Sequence, residues 1–213
     1  MARLSCTLEK SMKLLFAFLS LTAPFVSATP PKPLKTMVII GDSLTEGFGV
    51  NRDQAYPALL QKKLDQGPKK WRVVNSGVSG STAASAAGRV EWALKTKPDL
   101  ILIALGANDG LRGTEVKSIE KNLAAAIEKC QAAKVKVILI GIQIPPNYGK
   151  KYASQFAGIF PHLAELYKIP LLPFLLKNVG GEKSLNQADG IHPNEQGHTI
   201  IAKTVFQFLE KHL

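Results

Sequence analysis

A chain of 213 residues, 46% hydrophobic and 20% charged, has the composition of one globular domain, which excludes a disordered or low-complexity chain. Its formal net charge of +11 favours encounters with anionic headgroups or anionic substrates. No Lys/Arg block with interleaved aromatics accompanies that charge, so nucleic acid is not the expected partner.

From the N-terminus, Lys13–Ala28 reads KLLFAFLSLTAPFVSA, a Lys-fronted apolar run ending in small residues. This is the pattern of a secretory signal peptide over residues 1–28, cleaved after Ala28 to give a periplasmic or secreted product. The run is short for a membrane span and Pro24 interrupts it; an uncleaved anchor is the rival reading. Met12 is an alternative start. Loss of residues 1–28 removes Arg3, Lys10, Lys13 and Glu9, which leaves a net charge of +9. Cys6 goes with them, so Cys130 remains alone and the fold must stand without an internal disulfide.

A Pro-rich joint, residues 29–34, leads into a single domain over residues 35–213. Short apolar runs at Thr36–Ile40, Arg72–Asn75, Leu100–Leu105, Val135–Ile142 and Pro170–Phe174 predict strands covered on both faces. Helical spacing separates them. Tyr56, Leu59, Leu60 and Leu64 follow Asp53 as cap; Ala84, Ala87, Val90 and Leu94 follow Ser81. Ile119, Leu123, Ile127 and Cys130 share a face, which makes Cys130 a buried small hydrophobe. Tyr152, Phe156, Ile159, Phe160, Leu163 and Leu166 form the next stripe. The last helix opens with Pro193 at its first position and turns Ile201, Val205, Phe208 and Leu209 inward. This alternation predicts an α/β three-layer α/β/α sandwich on a parallel sheet, with ligands beyond the carboxyl ends of the strands.

Four strand-end loops carry polar and glycine residues. VIIGDSLTEGFG (Val38–Gly49) presents Ser43 at the end of the first strand. A serine hydroxyl needs a base, and the base needs an orienting group. Among four histidines, His192 has Asp189 three residues upstream in ADGIHPNEQGH, a spacing that sets a carboxylate beside one ring nitrogen. His198 follows His192 by six residues, His162 sits within a helical stretch, and His212 lies at the terminus. VVNSGVSGST (Val73–Thr82) and LGANDGLRG (Leu105–Gly113) offer main-chain N–H groups and the Asn108 amide to a developing oxyanion. Taken singly, each loop is equally a turn or a cap. There is no Cys-x-x-Cys, His-Glu-x-x-His or calcium loop, so no metal is expected.

In that order, GDSL (Gly41–Leu44), SGVSG, GANDG and DGIHP resemble the four blocks of the SGNH, or GDSL-type, hydrolases. GLRG, PPNYG and PLLPF are similar to its exported bacterial arylesterase and acyl-CoA thioesterase I/lysophospholipase branch. The resemblance implies a flavodoxin-like sheet of five strands in the order 2-1-3-4-5. It implies Ser43 as nucleophile, His192 as general base and then acid, and Asp189 as the orienting carboxylate. It maps the oxyanion donors to the Ser43 N–H, the Gly80 N–H and the Asn108 side chain, with Gly77 the alternative to Gly80. The chemistry requires no cofactor. The expected partner is a small-molecule ester or thioester, with peripheral contact to anionic lipid and a monomeric state.

Phe48, Tyr148, Phe156, Phe174 and Leu176 are candidates for an acyl groove, although Phe156 and Phe174 read first as core or helix-stripe residues. Glu46 departs from the family pattern; facing the cleft, it would disfavour anionic substrates such as acyl-CoA. Gly-x-Ser-x-Gly is absent, with Thr45 in place of its second glycine, which argues against the larger α/β-hydrolase fold. Two other readings compete: a carbohydrate O-deacetylase of the same fold, and a non-catalytic flavodoxin-like module whose loops form an anion nest. The second lacks both a P-loop Lys and Gly-x-Gly-x-x-Gly.

Overall fold

The apolar run that opens the domain forms β1 (Lys35–Gly41), paired in parallel with β2 (Trp71–Gly77) on one side and β3 (Leu100–Ala104) on the other. β4 (Lys136–Ile140) and β5 (Leu171–Leu172) complete a five-stranded parallel sheet in the order β2-β1-β3-β4-β5. The computed structural model describes residues 34–68 and 70–213. The expected signal peptide, Cys6, and the Pro-rich joint up to Pro33 lie outside the described residues.

Helices α1 (Ser43–Glu46), α2 (Tyr56–Gln66), α3 (Ala86–Leu94), α4 (Ala107–Leu111), α5 (Val116–Ala132), α6 (Lys150–Tyr167) and α7 (Glu195–Leu209) connect and cover the strands. α2 packs against α7, whereas α3, α5 and α6 pack side by side, which makes the two outer layers. β1, β3 and β4 are apolar on both faces because both faces are covered, and they form the middle of the core. Cys130 is fully buried on α5 beside Ile119, Leu123 and Ile127, and burial pushes its thiol up to about 12.

Several boundaries differ from the sequence reading. β2 runs longer than Arg72–Asn75 and is half-exposed, because it is the edge strand and only β1 flanks it. β5 shrinks to two residues between Pro170 and Pro173, neither of which can donate to the ladder. Asp53 does not cap α2; Ala55 holds the cap position and Pro57 occupies the first turn, where its missing N–H costs nothing. The chain before α3 makes a 3-10 turn at Ala83–Ser85, which rotates the stripe so that Ala83, Ala86, Val90 and Ala93 are buried, while Ala84 is exposed. Leu166 likewise faces solvent, and Phe208 is only half-buried. Pro193 precedes α7 rather than opening it: Asn194 is the cap, its side chain accepting from the Gln196 and Gly197 N–H groups.

Candidate active site

β1 ends at Gly41 and hands Asp42-Ser43 directly to the one-turn helix α1. Asp42 is fully buried and caps that turn, its Oδ1 accepting the Leu44 N–H at 3.0 Å. Burial raises its carboxyl to about 6, against the pull of that hydrogen bond and of the Arg89 charge. Ser43 therefore stands at the carboxyl end of the second strand in sheet order, on a main chain that the cap fixes.

The histidine arrives from the other end of the chain. His192 Nε2 lies 2.9 Å from Ser43 Oγ, across a separation of 149 residues. Its Nδ1 lies 2.7 Å from Asp189 Oδ2, while Asp189 Oδ1 accepts the Ile191 and His192 N–H groups at 3.0 Å each. With the proton on Nδ1, the ring donates to Asp189 and offers Nε2 as acceptor to the serine hydroxyl. Desolvation works against ionisation of Asp189, but the bonds from the His192 ring and main chain outweigh it and hold the carboxyl at about 2.

The loop bearing this pair is pinned on several sides. The His192 carbonyl accepts the Gln187 N–H at 2.8 Å, and Gln187 Nε2 donates to the Phe48 carbonyl at 2.7 Å and to the Pro193 carbonyl at 2.9 Å. Buried Asn186 donates to the Val179 and Glu182 carbonyls. The Phe48 ring packs on the His192 ring with centroids 4.7 Å apart. No sequence signal marked Gln187 or Asn186, since an amide in a loop is ordinary until its partners are known.

The glycine loop after β2 separates its two candidate glycines by cause. A Cβ on Gly77 would fall 2.1 Å from the Glu46 nitrogen, so Gly77 permits β2 to approach α1. Gly80 has open space around it but a φ of +77°, a conformation that glycine adopts without strain. Both neighbours of Gly80 are held. Ser79 donates from its N–H, at 2.8 Å, and from its hydroxyl to Glu46 Oε2. The Ser81 carbonyl accepts Asn108 Nδ2 at 3.0 Å. Among the described residues, neither the Ser43 nor the Gly80 N–H has an acceptor within the protein.

Two supports, half-buried Arg89 and buried Asp109, were invisible in the sequence. Arg89 on α3 donates to the Gly41 carbonyl at 2.7 Å, the Ser81 hydroxyl at 3.0 Å and the Ser76 carbonyl, which ties the ends of β1 and β2 to the glycine loop. Asp109, beside Asn108, accepts the Ala83 N–H at 2.8 Å. Behind Ser43, the Thr45 and Tyr56 hydroxyls lie 2.9 Å apart, and His198 Nδ1 accepts the Tyr56 N–H at 3.2 Å. His198 is thus a buried packing residue, and burial lowers its imidazole to about 4.

A cavity of about 350 Å³ opens beside Ser43, Asn108 and His192, with walls that include Leu44, Leu111, Ile142, Ile144, Phe174 and Leu176. Of the candidates for an acyl groove, Leu176 and Phe174 are among these walls. Phe48 and Tyr148 are not among the cavity's walls: Phe48 is spent on His192, and Tyr148 is exposed on the turn after β4. Phe156 is core, edge-on to Phe160. Glu46 does not line the cavity either, because Ser79 takes up its carboxylate.

The profile of the GDSL-like lipase/acylhydrolase family matches residues 39–200 of this chain. Esterase TesA of Pseudomonas aeruginosa is 41% identical over 186 residues, which cover 87% of this chain and 92% of that protein. Thioesterase 1/protease 1/lysophospholipase L1 of Escherichia coli is 38% identical over 168 residues, covering 78% and 79%. Among solved structures, esterase EstA from a Pseudoalteromonas species, inhibited by monoethylphosphonate, superposes with a TM-score of 0.80 at 35% identity, covering 84% of this chain and 98% of that one. With matches of this extent, the chain belongs to the GDSL-like lipase/acylhydrolase family.

Proposed function

We propose that this chain is a serine esterase that hydrolyses carboxylic esters and thioesters through an acyl-enzyme on Ser43. The observation that carries the reading is the Asp189–His192–Ser43 relay at the mouth of a mainly apolar cavity. His192 takes the Ser43 proton as the oxygen attacks the substrate carbonyl, and Asp189 stabilises the imidazolium that forms. The oxyanion rests on the Ser43 and Gly80 N–H groups and the Asn108 amide. His192 then protonates the departing alcohol or thiol, and the same base activates the water that releases the acid.

The names of the relatives support esters and thioesters as the substrate class, and the apolar walls suit an acyl chain. The charge of Glu46 is engaged outside the cavity, which removes the objection it raised to acyl-CoA. We assign residues 1–28 as a signal peptide and a periplasmic or extracellular location to the mature chain; N-terminal sequencing of the exported protein, expected to begin at Thr29, tests both.

Ser43→Ala tests the nucleophile. The variant should unfold at the wild-type temperature, lose hydrolysis of short-chain p-nitrophenyl esters and fail to react with a fluorophosphonate. Full activity in a purified sample, or labelling undiminished, rules the serine out.

A further inference from the structure

The excess positive charge of this domain is concentrated at one pole, opposite the Ser43 cavity. The turns entering the strands and the end of α7 carry Lys35, Lys70, Lys95, Lys97, Lys134, Lys136, Lys168 and Lys211, all exposed, against Asp99 and Glu210, while in the last helix turns just before them Lys63 and Lys129 stand against Asp65, Glu91 and Glu165. Among the described residues, none of the eight lysines of those turns and the α7 end forms a salt bridge. At the carboxyl edge the connections are balanced: Arg52, Arg112, Lys177 and Lys183 face Glu46, Asp53, Glu115, Glu182 and Asp189, with Lys150 and Lys151 opening α6.

Helix ends attract lysine, and α2, α3, α5, α6 and α7 all end at the basic pole. Five such ends amount to about two and a half negative charges, which the eight lysines overcompensate by more than a factor of two. Backbone geometry adds a second observation. Lys97, Lys134 and Lys168, in the turns leading to β3, β4 and β5, have φ of 51°, 56° and 51°. Glycine is the residue that fits such positions without strain, so three lysines stand where the backbone disfavours a side chain.

Apolar residues are interspersed at the same pole. Trp92 in the last turn of α3 is 71% exposed with Lys95 Nζ 3.6 Å from its ring, and Leu34 and Leu166 are each 59% exposed. A soluble polyanion uses the lysines alone; a lipid interface uses the tryptophan and leucines as well. A second cavity, about 360 Å³, opens between Lys35, Lys136 and Lys168 with Trp71 and Ile169 in its walls.

We propose that this basic pole docks on an anionic phospholipid bilayer and leaves the Ser43 cavity facing the aqueous side. The inference does not depend on the reading of ester hydrolysis, which serves here only as a measure of folding. The test is sedimentation of the full chain with vesicles of phosphatidylcholine alone, or with phosphatidylglycerol added, at low and high salt. The comparison is a Lys97→Gly, Lys134→Gly, Lys168→Gly triple variant, whose glycines suit the backbone and whose residues 1–33 are unchanged. The wild type should bind in a phosphatidylglycerol-dependent and salt-sensitive way, and the variant should partition roughly tenfold or more weakly while keeping its ester hydrolysis and thermal stability. No phosphatidylglycerol dependence in the wild type overturns the proposal, as does equal binding by the variant. Direct binding to dextran sulfate without binding to phosphatidylglycerol vesicles assigns the pole to a soluble polyanion and equally overturns it.

Discussion

Glu46 and Ser79 are joined by two hydrogen bonds to one carboxylate oxygen, the main-chain one at 2.8 Å. The pair links the last residue of α1, the turn that bears Ser43, to the loop that bears Gly80. Asn108 holds the other neighbour of Gly80 through the Ser81 carbonyl. Two N–H donors from different strand ends thus acquire a fixed separation, and an oxyanion site works only when its donors are placed in advance.

Glu46→Ala should therefore lower kcat about tenfold with KM within about twofold, since a whole donor is worth about a hundredfold or more and here one is loosened rather than removed. Both side chains are exposed, so the melting temperature should move by no more than a few degrees. Glu46→Gln, which can still accept from Ser79, should recover most of the loss. Steady-state kinetics on a p-nitrophenyl ester decide it; an unchanged kcat for Glu46→Ala refutes the clamp.

Asp189→Asn keeps the size of the side chain but removes the charge that orients His192 Nδ1. The expected loss in kcat is on the order of 10⁴-fold, with KM little changed. Because Asp189 holds its charge down to about pH 2, the acid limb of the wild-type rate profile should not come from this carboxylate. A pH–rate profile whose acid limb disappears in Asp189→Asn contradicts that.

Asp42 and His198, both buried, should give opposite pH dependences of stability. As pH falls from 6.5 toward 4, the unfolded chain protonates a histidine that the folded chain keeps neutral, so His198 withdraws up to about 3 kcal/mol. Over pH 6 to 3.8 the folded chain holds a proton on Asp42 that the unfolded chain has released, so Asp42 returns about 3 kcal/mol as pH falls. Relative to wild type, His198→Gln should gain stability on acidification from pH 7 to 4 and Asp42→Asn should lose it. Urea denaturation at the two pH values measures both; parallel curves for all three proteins refute the assignment.

Leu176→Trp should fill part of the 350 Å³ cavity. Activity on octanoyl esters should fall by roughly tenfold or more relative to acetyl esters, as a contact worth a few methylenes is lost. A chain-length series of aryl esters checks it, and an unchanged profile moves the acyl chain out of this cavity.

The sequence by itself determined the fold class, the strand order through its resemblance, and the four loops that converge. Those features are local: continuous apolar runs read as covered strands, and Ser43, Asn108, Asp189 and His192 each sit within a few residues of a strand end or helix start. Only the tertiary structure decided what depends on neighbours distant in the chain. The 3-10 turn that rotates α3, the two-residue β5, the burial of His198 behind Ser43 and the Arg89 ties are of this kind. So is the fate of Glu46, whose direction the sequence left open and which Ser79 holds in the fold. Even the +11 of the whole sequence gave no direction, because lysines scattered over more than 170 residues become one pole only when parallel strands bring the ends of five helices to the same edge.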